Sequence, residues 1–273
     1  MYLEHYGLSR KPFAKTPDPA FLFPSERHAE ALARLSHAVD EREVAVLTGE
    51  IGAGKTLLTR ALVEAFADRC RFSFVIHPAL PPAQLLAAVA DGFGLSAPRR
   101  KADVFTSLAR HVAKVDGEGR FAVVVIDEAQ LLPAGAFDEL RLLTNVCADD
   151  RALLGLLLVG QPELRERVTE RGGAAFAQRV GVAYHLGPLR AEETARYVEH
   201  RLAVAGRSER LFTGEGLAAL HRLSGGIPRL VNQYAASALL EGFARDCELL
   251  SEDVVEAAAA DLAAHLGLTV RAR

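Results

Sequence analysis

Cysteine is scarce in this sequence, and its placement rules out cross-linking by any obvious scheme. Cys70, Cys147 and Cys247 lie far apart, are odd in number and form no CxxC pair. With no signal-peptide pattern at the start, this favours a reducing, cytoplasmic setting. None of the nine histidines forms an HExxH or a Cys/His spacing of metal type, so no site of that kind is expected. Long hydrophobic runs are missing too. The longest, "LLGLLLVG" at 153–160, is far too short to span a bilayer and reads as a buried strand, so no direct membrane insertion is expected. Lysine is rare, five residues against many arginines, a bias that genome composition explains as readily as function. The formal net charge of −3 gives no global pull toward nucleic acid or anionic lipid, leaving room only for a local basic patch. Low-complexity segments and internal repeats are absent.

What is present is a globular composition, 50% hydrophobic and 25% charged over 273 residues, enough for one large α/β domain and a small second one. Residues 1–24 are rich in aromatics and prolines, and Pro17 and Pro19 favour turns and extended chain. "SERHAEALARLSHAVDE" follows at helical spacing, with Ser25 as N-cap. Five short apolar runs then alternate with helical patterns: "VAVLTG" (44–49), "RFSFVIH" (71–77), "FAVVVID" (121–127), "LLGLLLVG" (153–160) and "VGVAYHL" (180–186). Nearly continuous hydrophobicity of this kind suits strands covered on both faces, and the alternation implies an α/β fold with a parallel sheet. After "GPLR" (187–190) the pattern becomes four helices. The expected division is an N-terminal strap at 1–30, an α/β core at 31–188, a helical segment at 189–266 and a frayed tail at 267–273.

"GEIGAGKT" (49–56) satisfies G-x-x-x-x-G-K-[ST], with a strand before it and a helix after it. Gly52 and Gly54 let backbone N–H groups close around phosphate oxygens, and the helix N-terminus adds favourable field. Lys55 neutralises the β and γ phosphates, and the Thr56 hydroxyl is a magnesium ligand. The bland alternative is a glycine-rich turn with a chance lysine. "VVVIDEAQ" (123–130) brings out Asp127 to hold the magnesium and Glu128 to activate or orient the attacking water. Asp127 could instead merely cap the next helix. A glutamate so placed marks an ATPase rather than a passive binder.

"LLLVGQPEL" ends in Gln161, whose amide reports the γ phosphate if that strand lies between the other two; otherwise it is a turn residue before Pro162. "RERVTERGGAAFAQRV" supplies Arg165, Arg167, Arg171 and Arg179. Arg179, just before the fifth strand, is placed to project into a neighbouring subunit's site as an arginine finger, or else to sit solvated at a helix end.

"GEIGAGKT", "VVVIDEAQ", "GQPEL", "AQRV" and "GGIPR" together resemble the AAA+ ATPases, and "MYLEHYGLSRKPFAKTPDPAFLF", "DELRLLTN" (138–145), "GQPELRER" (160–167) and "LSGGIPRLVN" (223–232) carry a closer likeness. Within that class the chain is similar to the general secretion pathway protein A (ExeA-type) family over residues 1–266. The resemblance implies sheet order 5-1-4-3-2, a C-terminal helical lid, and ATP and Mg2+ as cofactors. It implies a nucleotide-binding set of Gly49, Glu50, Ile51, Gly52, Ala53, Gly54, Lys55, Thr56 and Leu57 with Phe23, Ile227 and Arg229. Thr56 and Asp127 would hold the metal. Lys55, Glu128, Gln161, Arg179 and Arg229 would act in catalysis, with Gln161 as sensor 1 and Arg229 as sensor 2. Two departures matter: Gln161 is longer than the asparagine or threonine usual at sensor 1, and this sequence contains neither the transmembrane helix nor the periplasmic domain usual in ExeA-type proteins.

Gly225 and Gly226 permit a tight corner and Pro228 suits a helix's first turn, so Arg229 faces either a phosphate or water. Leu22, Phe23, Ile227 and His28 either hold the adenine or pack the strap, and packing is the reading for Tyr2, Tyr6 and Phe13. "PRRKAD" (98–103) is a basic loop, either solvated or touching DNA. The function expected is a homo-oligomeric ATPase, a dimer or ring with shared sites, serving a secretion or pilus-type envelope apparatus and peripheral to the inner membrane through a partner protein. Its rivals are a duplex-DNA-dependent transposition helper of the Mu and Tn7 type, which would use Arg99, Arg100 and Lys101, and a slow nucleotide switch.

Overall fold

The structure, a computed structural model, describes residues 2–14, 18–96, 100–148, 151–170 and 173–266. Pro17, Pro98, Arg99, Arg171 and the tail at 267–273 lie outside them. In chain order the elements are α1 (Tyr2–His5), α2 (Glu26–Asp40), β1 (Val44–Gly49), α3 (Lys55–Ala65), β2 (Cys70–Val75), α4 (Pro82–Gly92), α5 (Lys101–Gly117), β3 (Phe121–Ile126), α6 (Ala136–Leu143), β4 (Leu154–Gly160), α7 (Glu163–Thr169), α8 (Ala174–Ala177), β5 (Val180–Leu186), α9 (Ala191–Val204), α10 (Gly214–Ser224), α11 (Pro228–Ala244) and α12 (Glu252–Leu266). A two-residue antiparallel pair, Cys147–Ala148 with Arg151–Ala152, precedes β4.

The five strands form one parallel sheet in the order β2-β3-β4-β1-β5. This is the 5-1-4-3-2 order read from its other edge. β1, β3 and β4 are buried at every position, which is why their sequences show no polar alternation. The edge strand β5 alternates half-buried with exposed residues along most of its length. Alternate side chains of the central strands, Val44, Val46, Val124, Ile126, Leu156 and Leu158 among them, pack with Leu85 and Val89 of α4, Leu108 and Val112 of α5 and Phe137 of α6. Leu35 of α2 and Leu58 and Leu62 of α3 are fully buried as well, as befits helices that cover a sheet's second face.

By contact the chain groups into two compact units. One holds Arg27–Glu50 and Leu58–Leu186, the sheet and its helices. The other gathers the N-terminal segment through Glu26, the loop Ile51–Leu57 and the chain from Gly187 onward. In this second unit Tyr6, Phe13 and Phe21 share a core with Tyr197, Leu202, Phe212, Leu220, Val231 and Leu239 of the helices. Arg201 fastens the strap there. Its Nε donates to the Pro12 carbonyl at 2.6 Å, Nη1 donates to the Tyr197 hydroxyl at 2.9 Å, and the guanidinium lies over the Phe21 ring at 4.6 Å. A buried cation needs such donors and ring faces to offset its lost hydration.

Candidate nucleotide site

β1 ends at the buried Gly49, and the chain then turns through an exposed Glu50 and an exposed Ile51. Gly52 and Gly54 take φ of 86° and 107°, open to glycine and strained for any other residue. Ala53 is buried, the Lys55 side chain is buried as α3 begins, and Thr56 is exposed with Leu57 half-buried beside it. The first turn of α3 carries no acidic residue. The positive end of the helix therefore lacks a carboxylate of its own, an arrangement that fits a phosphate.

Arg229 belongs to the same unit as this loop and touches it. The Arg229 N–H donates to the Gly52 carbonyl at 3.2 Å, and a Cβ built on Gly52 would fall 2.3 Å from Arg229 Cβ. Gly52 is thus required by close approach as well as by φ. The Arg229 side chain is exposed and makes no ion pair with a carboxylate among the described residues. Pro228 is the first residue of α11, Ile227 precedes it half-buried, and Gly225 and Gly226 turn the corner at φ of 57° and 75°.

The carboxyl edge of the sheet carries the second group. Register pairs Thr48 with Gly160 and Ile126 with Leu158, so the chain leaves β1, β3 and β4 at one edge. The Asp127 N–H donates to the Val75 carbonyl at 2.9 Å, and Asp127 Oδ1 accepts the Glu128 N–H at 2.9 Å. The Asp127 carboxylate thus meets the next backbone N–H but does not cap the turn that follows, whose N-cap is Glu128 with no side-chain cap bond. Glu128 sits in the left-handed region, φ 51° and ψ 35°, and a one-turn 3-10 helix, Ala129–Leu131, follows. Gln130 Nε2 donates to Glu128 Oε2 at 2.6 Å, and Gln161 Nε2 donates to the same oxygen at 3.3 Å. The Gln161 N–H donates to Gln130 Oε1 at 3.0 Å, and Arg167 Nη1 donates to the Gln130 carbonyl at 2.6 Å. The structure therefore brings Asp127, Glu128 and Gln161 together. It adds Gln130 and Arg167, to which the sequence reading gave no role; their signal was a glutamine two residues after the glutamate and an arginine one helix beyond Gln161.

Other candidates fall elsewhere. Arg179 is exposed immediately before β5, and Val180 pairs with Val44, so it lies at the amino edge of the sheet, away from Glu128. The Phe23 ring packs at 5.9 Å from Tyr197 and 5.7 Å from His200. Leu22 is half-buried, and His28 is buried in α2. The basic loop is shorter than the sequence suggested, since Lys101 opens α5 and its ammonium binds the largely buried Glu139 carboxylate. Arg100 just before it is exposed.

A five-stranded parallel sheet in this order, with the phosphate loop leaving β1 and an acidic pair leaving β3, defines the AAA+ class of P-loop proteins. Residues 38–168 match the family model described as an AAA domain. The more particular likeness is to general secretion pathway protein A of Aeromonas hydrophila, 40% identical over 248 residues, which are 90% of this chain and 45% of that protein. The chain thus spans less than half the length of that relative. Among solved structures, the ORC2 protein of Aeropyrum pernix in its ADPNP-ADP complexes superposes with TM-score 0.67 and 20% identity, over 93% of this chain and 72% of that one. The RuvB Holliday junction branch migration motor of Thermotoga maritima gives TM-score 0.58 and 16% identity, over 93% and 74%. Both speak for the fold. Among the described residues no helix is long and apolar enough to cross a membrane.

Proposed function

We propose that the chain binds ATP with magnesium, hydrolyses it as a self-associating assembly, and couples turnover to assembly or remodelling of a secretion or pilus-type envelope apparatus. The observation that carries hydrolysis is Glu128, a carboxylate held by two amide donors directly after Asp127. A protein that only bound nucleotide would gain nothing from fixing that group.

The residues divide the work as follows. Backbone N–H groups of Gly49–Leu57 would wrap the phosphates, and Lys55 would supply their central counter-charge. Thr56 and Asp127 offer the oxygen donors that magnesium prefers. Magnesium ATP supplies the transferable phosphoryl group. Glu128 would take the proton of the attacking water. Gln161, bonded to Glu128, would report on the γ phosphate through that carboxylate. Arg229 would add charge from beside Gly52, with Ile227 and Phe23 toward the base, and Arg179 would act in a neighbouring subunit. The envelope role is supported by the likeness to general secretion pathway protein A along nine-tenths of this chain.

The test is steady-state ATP hydrolysis across protein concentrations at low salt, with and without duplex DNA. Specific activity should rise with concentration and ignore DNA. Lys55→Ala should abolish binding, whereas Glu128→Gln should keep binding and lose turnover by about 100-fold or more, the scale of a lost general base. Normal turnover in the Glu128 variant would sink the mechanism. A large DNA stimulation that vanishes as salt rises would replace the envelope reading by that of a transposition helper.

A further inference from the structure

We infer that Gln130 is the residue that positions Glu128, acting through a closed ring of hydrogen bonds that joins the ends of β3 and β4. The inference rests on the reading of Glu128 as the base. Two contacts fix which way the Gln130 amide points. A backbone N–H can only donate, so the Gln130 atom that receives the Gln161 N–H at 3.0 Å is the carbonyl oxygen. The amide nitrogen is thereby turned toward Glu128 Oε2, at 2.6 Å. Gln161 closes the ring with its own amide on the same oxygen.

Three further facts agree. Glu128 is held in a left-handed conformation that is strained for a non-glycine residue and persists only where its surroundings over-determine it. Gly160 makes space for the ring, since a Cβ there would lie 2.8 Å from Gln130 Oε1 and 3.2 Å from Gln130 N. Arg167 of α7 clamps the turn from outside through the Gln130 carbonyl. Gln130 itself is buried, so its amide is committed to these partners rather than to water. The ring orients the carboxylate before any substrate arrives, which is the condition for a base to act without reorganising.

Gln130→Ala and Gln130→Met separate positioning from packing. The second keeps the length and bulk of the side chain but removes its donor and acceptor, without setting a second carboxylate against Glu128. Both should melt near the parent temperature and bind a fluorescent ATP analogue within about twofold, while kcat falls about 10–100-fold, the range seen when an outer partner of a reacting group is removed. Adding Gln130→Ala to Glu128→Gln should cause no further loss. A readout without turnover is the side-chain amide resonance of Gln130 in nucleotide-free protein, which should be shifted and slow to exchange, and should collapse in Glu128→Ala. If Glu128→Gln turns over normally, the base assignment fails. If Glu128→Gln is inactive while Gln130→Ala and Gln130→Met keep full kcat, or the resonance ignores Glu128→Ala, the positioning role alone is overturned.

Discussion

At the scale of single residues, Arg229 offers the sharpest test, because its two possible roles act on different observables. It sits in the first turn of α11, where a cation opposes the helix dipole, and it is exposed without a carboxylate partner among the described residues. As a structural residue it would be mildly unfavourable. Arg229→Ala should therefore leave the melting temperature unchanged or raise stability by a few tenths of a kcal/mol, about 0.3, while nucleotide affinity or turnover falls about tenfold or more, as loss of a charge-assisted contact of roughly 1.5–3 kcal/mol would give. A drop of several degrees in melting with intact turnover would make it a packing residue. The residues readable in the sequence share one property. Lys55, Thr56, Asp127 and Glu128 are fixed by local order, a strand, a turn and a helix in immediate succession. Gln130 was not readable because its role needs Gly160 and Gln161, thirty residues away in sequence, to be brought beside it by strand pairing.

Elements behave similarly. All five strands were visible as apolar runs, and in β1, β3 and β4 burial on both faces erases polar alternation. The short antiparallel pair before β4 left no such trace, being too brief for periodicity and held instead by charge. Asp116, near the end of α5, receives Arg151 in a bidentate contact at 2.8 and 2.9 Å, and Arg42 at 3.2 Å. Arg42 also donates to the Ala152 carbonyl at 3.1 Å, so the cluster pins that segment to the amino edge of the sheet. Chiefly the hydrogen bonds from Arg151 hold the Asp116 carboxyl below its ordinary pKa. A lowered folded value means that the stabilisation is complete above the unfolded aspartate value, about 3.9, and is lost as pH falls through the lower folded one. Asp116→Asn should cost roughly 1–2 kcal/mol at neutral pH, tempered by partial exposure. The gap between parent and variant should close below about pH 4. Denaturant melts at pH 7 and pH 3 decide it, and a gap that stays constant would show that the carboxylate contributes shape rather than charge.

For the whole molecule, the parallel sheet makes a demand that no local motif states. Its strands all run one way, so Arg179 at the start of β5 and Glu128 after the end of β3 occupy opposite edges. Val44 to Gly49 pairs along Val180 to Leu186, and at about 3.3 Å per residue that places Arg179, one residue before Val180, roughly 20 Å from the carboxyl edge along the strands. An arginine side chain does not bridge that span, so if Arg179 serves catalysis it serves another copy of the chain. Arg179→Ala should then bind ATP like the parent and turn it over about 10³-fold more slowly, as other enzymes do without their finger. Lys55→Ala should be inactive for the opposite reason, an empty site beside an intact finger. Mixed in equal amounts, the two should recover activity, because an Arg179→Ala site can face a Lys55→Ala neighbour. Random assembly into a closed ring makes about a quarter of the interfaces competent in this way. Recovery that grows with total protein concentration would establish a shared site. Two variants that remain inactive in every mixture, although each still self-associates, would confine catalysis to one chain and leave Arg179 as a solvated arginine at the end of a short helix.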